Sequence, residues 1–278
     1  MPTQTEKAAA FHALHQRPEA FVVANPWDAG TARILTGLGY QALSTTSAGL
    51  AFTLGRRDGT ASVSRDEALA NARSIVEATH LPVAADLENG YGHSPEEAAA
   101  TIRLAAEAGL VGGSIEDASG DPAHPIYEFQ HAVERVAAAA AAAHALPFPF
   151  MFVARAENFL HGRQDLDDTI RRLQAFEAAG ADVLYAPCIT SAEDIKTVCA
   201  SVTKPVNVLM GIKGVPPLSL KELEALGVRR VSIGSGFSRA ALTAFVHAAR
   251  EVLDHGTFQF TTETLYMSEL AELFAPKV

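Results

Sequence analysis

Cysteine is nearly absent from this chain: Cys188 and Cys199 are the only two in 278 residues. Two are too few for a disulfide framework, and they lack the spacing of a zinc site with the histidines, so reduced thiols are expected. Long apolar runs are absent too. No stretch of about eighteen such residues occurs, so nothing is expected to span a bilayer. The opening, from Met1 to Gln16, has no basic segment leading into an apolar one; no secretory signal is expected, and a cytoplasmic location follows. Positive charge is scarce, with 22 Lys+Arg against 32 Asp+Glu and a formal charge of −10. No basic stripe offsets that balance, which argues against nucleic acid or an anionic membrane as partner. A small anionic substrate stays open, because a metal ion and one arginine can set the local field.

What the chain does have is an apolar fraction of 48%, enough for a sizeable core, and a repeated unit. Short apolar or β-branched runs recur at Phe21–Ala24, Ala42–Thr46, Val83–Asp86, Gly113–Asp117, Met151–Ala156, Asp182–Pro187, Val206–Met210 and Arg230–Ser235. Segments with helical periodicity lie between them: Arg65–Thr79, Pro95–Ala108, Glu128–Leu146, Asp167–Ala179 and Ala192–Val202. An eighth helix is expected over Arg239–His255. Leu38-Gly39, Ala108-Gly109, Ala179-Gly180 and Leu226-Gly227 each follow a helix and precede a strand, where glycine suits a left-handed C-cap. Ser64, Ser94 and Ser191 each stand before acids in a helix's first turn, where the dipole favours them.

Eight strands alternating with helices imply a closed parallel barrel of the (β/α)8 type, with 1–278 as a single α/β domain. An open doubly wound sheet is the competing architecture, and the missing Gly-x-Gly-x-x-Gly turn after the first strand weakens it. Residues 261–278 form an extension, in which Thr261–Phe274 reads as one amphipathic helix packing outside the barrel or on another subunit.

In such barrels the chemistry sits at the C-terminal strand ends. Strand three runs into Asp86-Leu87-Glu88-Asn89-Gly90-Tyr91-Gly92, and the spacing of Asp86 and Glu88 points both to one side of an extended chain. Strand four ends at Glu116-Asp117, strand five at Arg155-Ala156-Glu157, and the connection after strand two carries Arg57-Asp58. Acids gathered at one mouth repel each other unless a cation lies among them. Oxygen-only ligands favour Mg²⁺ or Mn²⁺ over zinc. The expected set is Asp86 binding directly, with Asp58, Glu88 and Glu116 acting partly through water.

These residues resemble the isocitrate lyase/phosphoenolpyruvate mutase superfamily. Asn25-Pro26-Trp27-Asp28-Ala29, Ser44-Thr45-Thr46-Ser47, Arg57-Asp58, Ala85-Asp86 through Gly92, Ile115-Glu116-Asp117 and Ala154-Arg155 stand in that family's order, over nearly the whole chain. The resemblance implies a Mg²⁺-dependent barrel acting on 2-oxo acids or their enolates, with the last helices often exchanged between subunits. It implies that Arg155 pairs with a substrate carboxylate. It places Thr46, Ser47 and Ala48 as donors after strand two, Trp27 as pocket wall or simply core, and Asn207 as a polar contact. A homodimer or homotetramer is expected.

The departures lie in the loop after strand four. Lyases of the family carry Lys-Lys/Arg-Cys-Gly-His there; this chain has Asp117-Ala118-Ser119-Gly120-Asp121-Pro122-Ala123-His124-Pro125-Ile126-Tyr127. Phosphonopyruvate-processing members use a lysine and an asparagine that are also missing. His124 is the candidate acid or base on this loop, with Tyr127 and Tyr91 nearby. Cys188 has apolar neighbours that favour an inert thiol, and Lys213, flanked by glycine, reads as solvated rather than as a Schiff-base lysine. The expected activity is carbon–carbon lyase chemistry through a metal-stabilised enolate of a small 2-oxo or 2-hydroxy acid. The alternatives are an oxaloacetate-type decarboxylase, a phosphoenolpyruvate or phosphonopyruvate mutase or hydrolase, and a non-catalytic 2-oxo acid binder.

Overall fold

The computed structural model describes residues 1–213 and 217–275. Eight parallel strands close into a barrel in chain order: β1 Phe21–Ala24, β2 Ala42–Ser44, β3 Val83–Asp86, β4 Gly112–Glu116, β5 Met151–Arg155, β6 Val183–Tyr185, β7 Val206–Leu209 and β8 Arg230–Ser232. β8 pairs back to β1 with Phe21 opposite Arg230, so no sheet edge is left exposed. The helices in chain order are α1 Gln4–His15, α2 Ala29–Gly37, α3 Ser47–Thr53, α4 Arg65–Ala78, α5 Pro95–Glu107, α6 Phe129–His144, α7 Leu166–Ala178, α8 Ala192–Ser201, α9 Leu220–Ala225, α10 Gly236–His255 and α11 Met267–Phe274.

The expected punctuation is where it should be. Gly39, Gly109, Gly180 and Gly227 all have φ between 92° and 106°, a region that penalises a Cβ. Ser64 and Ser94 form capping boxes with Glu67 and Glu97. Two apolar clusters follow from the alternation of strand side chains. One lies between the strands and the outer helices, with Leu43, Ile75, Ile102, Phe152 and Phe176 fully buried. The other fills the barrel's lower half, where Val23, Ala84, Met151 and Val183 meet Phe11 of α1.

Three elements differ from the sequence expectation. α1 closes the floor of the barrel, which periodicity did not reveal. β2 stops at Ser44, because Thr46 turns out of the sheet and caps α3, its hydroxyl accepting from the Gly49 N–H at 3.3 Å. The tail is two pieces rather than one helix. A 3-10 turn over Gln259–Glu263 is followed by extended backbone at Thr264 and Tyr266, and then by α11. α11 lies against α2 of the same chain. Beyond Ser238, α10 leaves the barrel surface with Phe245 and Leu253 69% and 83% exposed.

Candidate active site

The strand alternation turns Asp86, Glu116 and Arg155 into the barrel mouth from three adjacent strands, paired Asp86 to Ser114 and Glu116 to Arg155. The Glu116 N–H donates to the Glu88 carbonyl at 2.9 Å, so β3's partnership with β4 continues into the loop. Glu88 itself has φ +48°, an uncommon conformation for a residue with a side chain. Gly90 is required there: a Cβ on it would sit 3.2 Å from the Ala98 Cα, and its φ is +83°.

Arg155 is the centre of the arrangement. Its Nη1 donates to Asp86 at 2.9 Å, its Nη2 lies 3.0 Å from Glu116, and its Nε donates to Glu157 at 2.8 Å. The guanidinium also stacks over the Tyr185 ring, 5.1 Å from its centre. Burial works against the arginine's charge, yet Glu116, Glu157 and Asp86 hold its pKa well above the usual value. Asp86 further accepts from the Ser47 N–H and hydroxyl, at 3.2 and 2.8 Å.

One arginine does not neutralise this mouth. Burial, then Asp86 and Asp58, push Glu88 up to about 7. Burial raises Glu116 well above the carboxylate range, with Glu157 and Asp86 adding to it and Arg155 opposing. Asp58, exposed on the loop after α3, is raised by its partial desolvation and by Asp86. Burial brings Glu157 to about 7. Each of the four raised acids feels Asp86 as a like charge and, among the described residues, Arg155 as the opposing cation, which is the electrostatic condition that a divalent ion relieves.

The donor set fits such an ion. Asp58, Asp86, Glu88 and Glu116 offer oxygen only, which suits Mg²⁺ or Mn²⁺. Among the described residues no group of three His, Cys, Asp or Glu converges tightly on one point.

The structure thus brings together Asp58, Asp86, Glu88, Glu116, Arg155 and Ser47. Thr46 and Ala48 are buried beside them at the start of α3. Trp27 packs at the same place: a Cβ on Gly49 would lie 2.8 Å from the Trp27 Cβ. Asn207 stands apart, 2% exposed inside the barrel and donating to the Ser232 hydroxyl at 2.9 Å. His124 is on a hairpin closed by the bridge of Ala118 to Ile126; its side chain is 83% exposed and its partner is Asp121, at 3.2 Å. Tyr127, at the base of that hairpin, receives a hydrogen bond from Asn89 on its hydroxyl, which also meets His93 Nδ1 at 2.8 Å. Cys188 has φ +67°, and burial and Glu157 raise its thiol pKa. Lys213 is exposed.

Glu157 was left unassigned by sequence reasoning. The available signal was its spacing of two from Arg155, the same spacing that singled out Asp86 and Glu88. Asp117 was missed as a structural hub for a different reason, since its partner Arg172 is far away in sequence.

The sequence pattern of the phosphoenolpyruvate phosphomutase family matches residues 11–253. A crystal structure of a Burkholderia cenocepacia J2315 protein, provisionally named a lyase/mutase, is 56% identical, with a TM-score of 0.95 over 98% of this chain and 97% of that one. The 2-methylisocitrate lyase of Escherichia coli K12 is 27% identical over 92% of this chain and 88% of its own. An oxaloacetate decarboxylase of Bradyrhizobium diazoefficiens is 29% identical over 71% of this chain and 68% of its own. The chain belongs to the phosphoenolpyruvate mutase/isocitrate lyase superfamily.

Proposed function

We propose that this superfamily member is a lyase that cleaves or forms a carbon–carbon bond next to a small 2-oxo or 2-hydroxy carboxylate. Mg²⁺ or Mn²⁺ would be held by Asp86 directly and by Asp58, Glu88 and Glu116 partly through water. The observation that carries this reading is the crowding of raised acids around Asp86, with Arg155 as their one cation. A bound divalent ion supplies Lewis-acid stabilisation of negative charge that builds beside the breaking bond.

The chain's own residues set the rest. Ser47 holds the Asp86 carboxylate in place through two hydrogen bonds. Arg155 offers its unspent N–H groups to the substrate carboxylate, the planar geometry for which arginine is suited. Trp27, Thr46 and Ala48 form the wall on the α3 side, and Tyr185 excludes water beneath the guanidinium. Asn207 supports this floor through Ser232. His124 is the proton donor in this reading only when its hairpin folds over the mouth.

Decarboxylation of a 3-carboxy-2-oxo acid is the second reading. It is favoured by the hairpin, which offers neither cysteine nor lysine. Both readings face one test. Isocitrate, 2-methylisocitrate, dimethylmalate, oxaloacetate and phosphonopyruvate are followed together by ¹H and ³¹P NMR, with Mg²⁺ or with EDTA. Mg²⁺-dependent loss of one carboxylic acid supports the proposal and identifies the bond. Loss of phosphonopyruvate alone would replace it with phosphorus chemistry. Tight 2-oxo acid binding without product would replace it with a binding protein.

The bare apolar face of α10 supports assembly as a homodimer or homotetramer, since a patch containing Phe245, Val246 and Leu253 is costly in water. Light scattering of the intact chain and of Phe245→Glu tests this; equal masses at the monomer value would overturn it.

A further inference from the structure

Arg155 has a partner that the metal reading does not use. A guanidinium carries five N–H donors, and Arg155 gives one each to Asp86, Glu116 and Glu157. Asp86 and Glu116 are partly exposed at the mouth, 21% and 17%, and both belong to the proposed cation shell. Glu157 is 0% exposed and takes the Nε–H, so its contact leaves the two Nη groups, now on Asp86 and Glu116, as the ones facing the mouth. Its own backbone is tied down. The Glu157 N–H donates to Asp117 Oδ1 at 2.8 Å, and Asp117 Oδ2 receives Arg172 Nη1 at 3.0 Å. Arg172 Nη1 also donates to the Tyr127 carbonyl at 3.1 Å, and Tyr127 N–H returns to the Asp117 carbonyl at 2.8 Å. Both feet of the 118–126 hairpin are therefore fastened to the residue that fastens Glu157.

We propose that Glu157 is the positioning residue for Arg155, and that the Asp117–Arg172 pair couples that position to the hairpin's base. The inference rests on the proposed function, because it takes Arg155 as the carboxylate-binding group. With Asp86 and Glu116 engaged in holding a cation, Glu157 would be the partner left to Arg155 and would fix the plane of the guanidinium. Bidentate carboxylate recognition depends on that plane.

The test is calorimetric binding of oxalate in saturating Mg²⁺, with stoichiometry and melting temperature recorded for each variant. Glu157→Leu is expected to weaken oxalate by roughly 30-fold, as loss of one member of a buried charge pair does. Glu157→Gln, which keeps an oxygen toward Nε, should fall between it and the wild type. Arg172→Lys should weaken binding as well, and the double variant Glu157→Leu/Arg172→Lys should lose little more than Glu157→Leu alone. A purely structural role would lower the stoichiometry or the melting temperature and leave the Kd of the folded fraction unchanged; that result overturns the proposal. Additive losses in the double variant overturn the coupling to the hairpin. Absence of Mg²⁺-dependent oxalate binding in the wild type is a different result: it overturns the proposed function, and this inference with it.

Discussion

The two ends of the barrel bury polar groups under opposite electrostatic conditions. At the C-terminal mouth Asp58, Asp86, Glu88, Glu116 and Glu157 gather around Arg155, and burial and mutual repulsion raise the pKa values of Asp58, Glu88, Glu116 and Glu157. At the N-terminal floor Arg230 and His15, the last residue of α1, are each 4% exposed. Arg230 Nε and Nη1 meet no hydrogen-bond acceptor among the described residues. Burial lowers Arg230 to about 10 and His15 to about 3. The floor manages this with rings rather than charges: Phe11 packs edge-on to His15 at 4.6 Å, and Arg230 lies 5.7 Å from the Phe11 ring. The mouth keeps a negative surplus that the fold leaves uncompensated, so it can receive a cation. The floor neutralises what it can and excludes water, so it serves stability.

That contrast can be broken from either end. The largest effect is expected from Asp86→Ala, which should abolish Mg²⁺-dependent binding of oxaloacetate or oxalate in calorimetry; full retention would remove the proposed site. Phe11→Ala should do the reverse, costing ~3–5 kcal/mol of stability through the cavity it leaves. Urea unfolding measures that cost, and Mg²⁺-dependent ligand binding by the folded fraction should stay at the wild-type value.

A smaller effect sharpens the floor. The folded His15 pKa, about 3, lies below the ordinary value of about 6.5. Between those values the unfolded chain binds the extra proton, so this group's stabilisation is complete above about 6.5 and falls as pH drops toward about 3. The raised acids of the metal-free mouth run the other way, since the folded state holds their protons more tightly. Unfolding free energies of wild type and His15→Gln across this range should differ in slope; parallel curves would mean that His15 does not sense its burial. The smallest effect is expected at the hairpin. His124→Gln should lower turnover far less than the ~10²–10⁴-fold that loss of a general acid costs. A loss of that size would show that the hairpin closes with His124 over the mouth.

Much of the mouth could be read from the sequence because its signals are local. Asp86 and Glu88 stand two apart at a strand end, Gly90 follows, and each acid falls at the same end of its own strand. Glu157 obeyed the same rule, but an arginine-to-glutamate spacing of two is common on any strand, so nothing local set it apart. Asn207, expected as a polar contact, lies within β7, where the register pairs it with Tyr185 and Arg230. The tail was read as one helix because its apolar periodicity runs on through Thr264 and Tyr266. There the Glu269 carboxylate accepts from the Tyr266 N–H at 2.7 Å and starts a new helix instead.

The sequence by itself determined the alternation of eight strands and helices, their glycine and serine punctuation, and the acids at the strand ends. Each of these depends on residues within a turn or two of one another, where propensity and side-chain periodicity act directly. Only the tertiary structure decided that one arginine is held by acids from three consecutive stretches of the barrel wall. It alone decided that α1 seals the floor and that Arg172 joins the hairpin to Glu157. Those contacts connect residues tens of positions apart, and they exist because closure of the barrel brings strand ends within hydrogen-bonding distance.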